Sequence, residues 1–200
     1  MNSIGSPSNA AFAVLNYLFF QTVLEFACSK AGFVLYNLDP ALAITDRDGA
    51  KASLKKALEV TEANILVTQE AGSDVNYVKI VKEVIPETRL WDFGEGLPFF
   101  SPHFPHLRYP CHTGFDHQNK EGMIPFRHLI VPSGLLEEQL AGWKASGDTP
   151  LFGELKMGPD GPTKGKILSN DDVAKHNVWP LYNSILKKEY LEVPGIGNVW

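Results

Sequence analysis

Phe33-Val-Leu-Tyr-Asn-Leu38 is an apolar run stopped by Asp39-Pro40, and Asn64-Ile-Leu-Val-Thr68 is a second such run a helix-length further along the chain. Neither alternates apolar with polar residues, so each reads as a strand covered on both faces, the pattern of a parallel sheet in an α/β protein. Between them, Asp48 to Thr61 carries Leu54, Ala57 and Leu58 on one face and Lys51, Lys55 and Lys56 on the other, which predicts an amphipathic helix. Before them, Ala10 to Leu15 reads as another short buried strand and Tyr17 to Lys30 as a helix largely hidden from water. Gly32 then stands in the usual position just past a helix end, with Lys30 placed to meet the negative end of the helix dipole. After them, Val75 to Ile85 places Val78, Ile80, Val81, Val84 and Ile85 at helical spacing, closed by Pro86, and Arg89 to Phe93 is expected to add one more strand. Strand, helix, strand, helix, strand predicts an α/β fold with a mainly parallel sheet flanked by helices.

The remainder of the chain has a different texture. Gly94 to Cys111 is a long run of Gly, Pro and aromatic residues, which predicts a loop with a functional or docking role. Met123 to Val131 reads as a short helix or strand and Leu135 to Trp143 as a helix. Asp148 to Met157 and Lys166 to Ser169 flank a Gly/Pro turn and predict a hairpin, and Asp171 to Lys188 is a last helix interrupted at Pro180. The chain therefore divides into an α/β part over 1–93, the Pro/aromatic-rich loop with its connecting helix over 94–147, and the hairpin with its helix and tail over 148–200.

Composition bounds the functions. The 200 residues carry 44% hydrophobic and 20% charged residues, enough for one well-packed core and unlike a disordered or coiled-coil chain. A formal net charge of −5 gives no electrostatic footprint for nucleic acid. No Lys or Arg precedes Lys30, so the basic segment of a secretion signal and the Arg-rich bias of a transit peptide are both missing from this stretch. Asn16, Gln21, Thr22 and Glu25 interrupt the apolar run from Ala10 to Cys28, which argues against a membrane span and for a buried helix.

The reactive residue types form no standard constellation. His103, His106, Cys111, His112 and His117 fall in one window and are types that zinc prefers, yet their spacing fits no zinc pattern, and packed loop side chains are the expectation. Ser133-Gly134 and Ser169-Asn170 are not in a Gly-x-Ser-x-Gly elbow. Cys28, on an apolar helix face, reads as core, whereas Cys111 is open to being exposed.

Two stretches carry a family resemblance. Phe26-Ala-Cys-Ser-Lys-Ala-Gly-Phe-Val-Leu-Tyr-Asn-Leu-Asp-Pro40, continued by Leu54 to Thr68, resembles the start of the adenylate-forming enzymes, the acyl-CoA synthetase and AMP-binding superfamily. Asp148 to Asn170, with Gly158, Gly161, Lys164 and Gly165 and the trailing Asn177, is similar to that family's phosphate-binding stretch. The resemblance implies the N-terminal part of such a domain, with a glycine loop that receives the phosphates of a nucleotide.

At that loop the chain departs from the pattern. The positions matching the family's Thr-Ser-Gly-Thr-Thr-Gly read Lys156, Met157, Gly158, Pro159, Asp160 and Gly161, so every hydroxyl donor is replaced. Pro159 has no N–H to offer. Asp160 sets a negative charge where phosphate would lie, and a like-charge pair at ~4 Å costs about 1 kcal/mol even in water. The family's magnesium-binding acidic motif, its ribose-binding Asp and its mobile lysine-bearing domain would follow Trp200. The expectation is a pseudoenzyme without cofactor: an accessory subunit that docks to other proteins, set by analogy in a mitochondrial respiratory-chain complex or ATP synthase. The alternative is residual binding of nucleotide, CoA or an acyl group, or an acid–thiol ligase fragment completed by a partner chain.

Overall fold

The computed structural model describes residues 10–14, 18–70, 75–114, 122–129 and 145–176. Strand β1 (Ala10–Val14) is buried at all five positions and sits at the centre of the sheet. It pairs in parallel with β2 (Val34–Asn37) on one side and with β3 (Ile65–Thr68) on the other. The pleat sorts its side chains. Ala10, Phe12 and Val14 join one apolar cluster, and Ala11 and Ala13 join a second on the opposite face. Residue choice thus follows from burial on both sides.

The helices cover those two faces. Helix α1 (Leu18–Ala31) lays Leu24 and Cys28 on one. Gly32, at φ 73°, ends it, and the Phe33 amide donates to the Cys28 carbonyl at 3.0 Å, the hydrogen bond of a left-handed cap. The short α2 (Leu42–Thr45) and α3 (Arg47–Thr61) cross the other face with α4 (Tyr77–Val84), burying Leu54, Ala57, Leu58, Val78, Ile80 and Val81. Asp46 caps α3 by accepting from the Gly49 amide at 2.8 Å, and Asn76 caps α4 by accepting from the Lys79 amide at 2.8 Å.

Strand β4 (Tyr109–His112) pairs with β3, and the two-residue β5 (Ile124–Pro125) pairs with β4 before running into α5 (Phe126–Leu129). On the other flank β6 (Pro150–Gly158) lies parallel to β2 and turns back into β7 (Gly161–Ser169), followed by α6 (Asn170–His176). The sheet has seven strands in the order β5-β4-β3-β1-β2-β6-β7, and only the β6–β7 pair is antiparallel. The mainly parallel α/β architecture expected from the two opening runs is therefore present, and each of the three segments over 1–93, 94–147 and 148–200 supplies strands to one sheet. Among the described residues no helix is long and apolar enough to cross a membrane.

Two expectations need correction. Arg89 to Phe93 is not a strand: Pro86–Arg89 and Phe93–Glu95 are single 3₁₀ turns. Pro86 stops α4, the Thr88 hydroxyl donates to the Ile85 carbonyl at 2.7 Å, and the Asp92 carboxylate accepts from the Gly94 amide at 2.8 Å, so local hydrogen bonds replace a ladder. The fourth strand comes instead from Tyr109–His112, whose first three residues close the run read as loop, and Cys111 is fully buried in it rather than exposed. Pro110 fits because its neighbours bond to β3: the Tyr109 amide donates to Asn64 and the Thr113 amide to Thr68. The Pro110 nitrogen thus faces the side where pairing to β5 begins only at Cys111. The predicted Leu135–Trp143 helix and the last helix beyond His176 lie outside the described residues.

Candidate functional site

The carboxyl ends of parallel strands are where open α/β sheets take ligands, at the point where the strand order reverses. Here β1 is that point, since the chain adds β2 on one side and then β3 on the other. The space over Val14, Leu38 and Thr68 is closed. A cavity of about 20 Å³ remains, lined also by Pro40, Tyr77 and Val81, which holds a single water at most. Tyr77, at the start of α4, is buried and donates its hydroxyl to the Pro40 carbonyl at 3.0 Å. Burial, with the Asp39 charge adding to it, raises the Tyr77 phenol above its ordinary pKa, so the group remains a proton donor.

Further along this edge His112 is fully buried at the end of β4, and its Nδ1 accepts from the Gly114 amide at 3.1 Å, so that nitrogen carries no proton. Burial pushes the Cys111 thiol up to about 12, and burial together with the Glu25 charge does the same for Cys28. Neither is a thiolate at neutral pH, as a nucleophile would require.

The glycine loop is drawn into a tight turn. Pairing runs from Leu155 with Lys164, through Lys156 with Thr163 and Met157 with Pro162, to Gly158 with Gly161, leaving Pro159 and Asp160 at the tip. Pro-Asp-Gly is a turn signal with a mechanism: Pro fixes φ, and Gly161 supplies the positive φ, 94°, that closes the turn. Gly158 and Gly161 are thus brought together, but as a closing pair. Lys164 is exposed along β7, and Gly165 abuts the Glu154 carboxylate, which also accepts from the Lys166 amide at 3.2 Å. The tip lies beside Lys56 of α3, whose Cγ is 3.3 Å from where a side chain on Gly161 would begin. A phosphate cradle needs successive N–H groups aimed at one point. Along this hairpin the strand pairing continues to the tip.

The histidine window is dispersed as well. His103 and His106 are exposed on the loop before β4, His106 lies 3.8 Å from Glu62, Cys111 and His112 are buried, and His117 lies outside the described residues. No group of three or more ligating side chains forms a metal site among the described residues. An open cleft of about 370 Å³ runs between Lys51, Lys55, Glu83 and His103. Its charge is largely self-satisfied, because Lys51 pairs with Asp48 at 2.6 Å and with Glu83 at 3.4 Å, and Arg47 pairs with Glu83 at 2.7 Å.

The opposite, amino edge carries the long loop. Its aromatics divide in a way the sequence did not show. Phe99 and Phe104 are buried in the core, the Trp91 ring packs edge-on against Phe99 with centroids 5.3 Å apart, and the Trp91 indole N–H donates to the Leu97 carbonyl at 2.9 Å. Leu90, Leu97 and Phe100 point outward at 91%, 62% and 64% exposure. The run read as a loop with a functional or docking role thus divides its apolar residues between core and surface. The loop is anchored by its buried aromatics and displays two leucines and one phenylalanine. Leu90 and Leu97 were not singled out in the sequence, and the available signal was their setting, beside Trp91 and between Gly96 and Pro98.

Compared with known proteins, the chain matches no family model and no curated protein.

Proposed function

We propose that this chain is a non-catalytic accessory subunit of a larger protein assembly, its α/β scaffold derived from an acyl-CoA-synthetase-like domain. The observation that carries the reading is the filled switch point, where Tyr77, Leu38 and Pro40 leave only about 20 Å³ over the ends of β1 and β3. The ligand clefts of enzymes are an order of magnitude larger, roughly 300–1,000 Å³. The hairpin supports the same reading, because its tip offers Pro159 and Asp160 where a phosphate loop offers amides and hydroxyls. The setting proposed is a mitochondrial respiratory-chain complex or ATP synthase, where metabolic folds serve as added subunits.

Two measurements test this. In native gel profiling of source-organism mitochondria the protein is expected to migrate with one large assembly; a protein that runs alone, or outside mitochondria, overturns the role or the setting. Calorimetric titration with ATP and with an acyl-CoA is expected to give no heat. Saturable binding of either would favour the ligand-binding alternative, with Lys164 the first residue to mutate.

A further inference from the structure

We propose that Leu90, Leu97 and Phe100 form a preformed apolar knuckle that inserts into a partner-protein groove whose floor is apolar and whose rim carries Lys or Arg. The proposal rests on the accessory-subunit reading and names the surface that does the docking. Three observations converge on it.

The first is contiguity. Leu90 precedes Trp91, the Trp91 indole is bonded to the backbone of Leu97, and Phe100 follows the Phe99 ring against which Trp91 packs. All three outward side chains therefore belong to one Trp91-centred unit. The second is rigidity. Asp92 caps the Gly94 amide at 2.8 Å, Gly96 takes the left-handed turn at φ 72°, and Gly122 packs so closely on the Thr88 carbonyl that a Cβ there would overlap it. A surface already held in its bound shape loses little conformational freedom on docking. Large apolar side chains mostly in water on such a unit resemble the anchors of an interface core.

The third is charge. The segment from Pro86 to Phe100 exposes Asp92 and Glu95 against the single Arg89, while Glu87 is half-buried. Such a rim favours a basic partner surface and disfavours both an acidic one and the anionic face of a membrane. A second copy of the same unit would bring like charges together. Leu90 is 91% exposed, so nearly all of its side chain is open to a complementary surface, for which a groove is the proposed form.

The test uses the full chain in native extract of its source. Leu97→Ser with Phe100→Ser is expected to weaken association with the native assembly by roughly thirtyfold, as for loss of interface anchors, with the melting temperature unchanged. Glu95→Lys is expected to weaken it severalfold and to make association less sensitive to salt; tighter association would overturn the basic rim. Leu97 replaced by p-benzoylphenylalanine is expected to crosslink to partner peptides rich in Leu or Phe beside Lys or Arg. Crosslinks confined to this chain, to a second copy or to acidic peptides overturn the proposal, as does sedimentation of the purified chain with phosphatidylcholine–phosphatidylserine vesicles. If the wild-type chain enters no assembly at all, the accessory-subunit reading itself fails. If it enters one and the serine variant enters equally well, only the knuckle fails.

Discussion

The two edges of one sheet have been finished in opposite ways. At the carboxyl edge, where α/β folds place small ligands, Tyr77 bridges from α4 to the Pro40 turn and Leu38 and Val14 fill the rest, leaving about 20 Å³. At the amino edge, where packing alone usually decides the residues, Leu90, Leu97 and Phe100 are held out in water on a loop fixed by Trp91. Burying apolar surface is favourable by roughly 25 cal/mol per Å², so a rigid apolar knuckle is costly to display unless something covers it. The difference is the one expected if the chain meets a partner, as proposed, rather than a small ligand.

The largest expected effect tests the closed edge. If Tyr77 is a structural plug, Tyr77→Ala removes a buried ring and destabilises the fold by roughly 3–5 kcal/mol, whereas Tyr77→Phe, which loses only the bond to Pro40, costs about 1 kcal/mol. Urea unfolding of both variants checks the pair. A stable Tyr77→Ala protein that gains affinity for a nucleotide would break the comparison, because the crevice would then be a site with a removable lid.

Next is a buried carboxylate on the face away from Tyr77. Glu25 is buried on α1, bonded by the Gln21 amide at 2.9 Å, and burial outweighs that bond, raising its pKa from 4.5 to about 7. Between these values the folded chain keeps a proton that the unfolded chain has released, so stability is full below pH 4.5, falls as pH rises and levels off above pH 7. The loss is at most about 3 kcal/mol. Glu25→Gln should flatten this profile and stabilise the chain at pH 8, as read by urea unfolding at pH 5 and pH 8. An unchanged slope would show that Glu25 is solvated.

Two glycines of β6 come third and separate packing from function within the hairpin. A Cβ on Gly153 would overlap the ring of Tyr36, its register partner in β2, and Tyr36 is itself buried; Gly153→Ala is expected to cost roughly 1–3 kcal/mol. At Gly158 the nearest atom to a new Cβ is the Gly161 carbonyl oxygen at 3.6 Å, an ordinary contact, so Gly158→Ala should stay within about 0.5 kcal/mol. Thermal melts of the two variants decide. A neutral Gly153→Ala would show that the hairpin does not pack on β2 as described.

What the sequence made legible follows from the same contrast. Phe33 to Leu38 and Asn64 to Thr68 declared themselves because strands covered on both faces need unbroken apolar residues, whereas the caps Asp46 and Asn76 went unread because the two helices were placed from apolar spacing alone. Strand β4 was hidden because Tyr-Pro-Cys-His contains a proline, and only the pairing on either side reveals that its nitrogen lies where no bond is needed. Glycine spacing in the hairpin marked a turn but not its tightness, which the pairing of Gly158 with Gly161 settles. The knuckle was least legible. Phe99 and Phe100 are adjacent and chemically identical, yet one is 1% and the other 64% exposed, a distinction made by Trp91 rather than by either residue.

The smallest effect sharpens the comparison most. Leu90→Ser, Leu97→Ser and Phe100→Ser should each leave unfolding free energy within about 0.5 kcal/mol, since exposed side chains lose little burial when truncated. Phe99→Ala, one residue away, should cost roughly 3–5 kcal/mol because its ring is enclosed. Urea unfolding of the four variants separates display from packing. If the serine variants were strongly destabilising, those side chains would be part of this chain's own core and the amino edge would be as closed as the carboxyl edge. If they are silent, stability gives no reason for three apolar residues to stand in water on a segment that also exposes Asp92 and Glu95, and the proposed docking role remains to account for them.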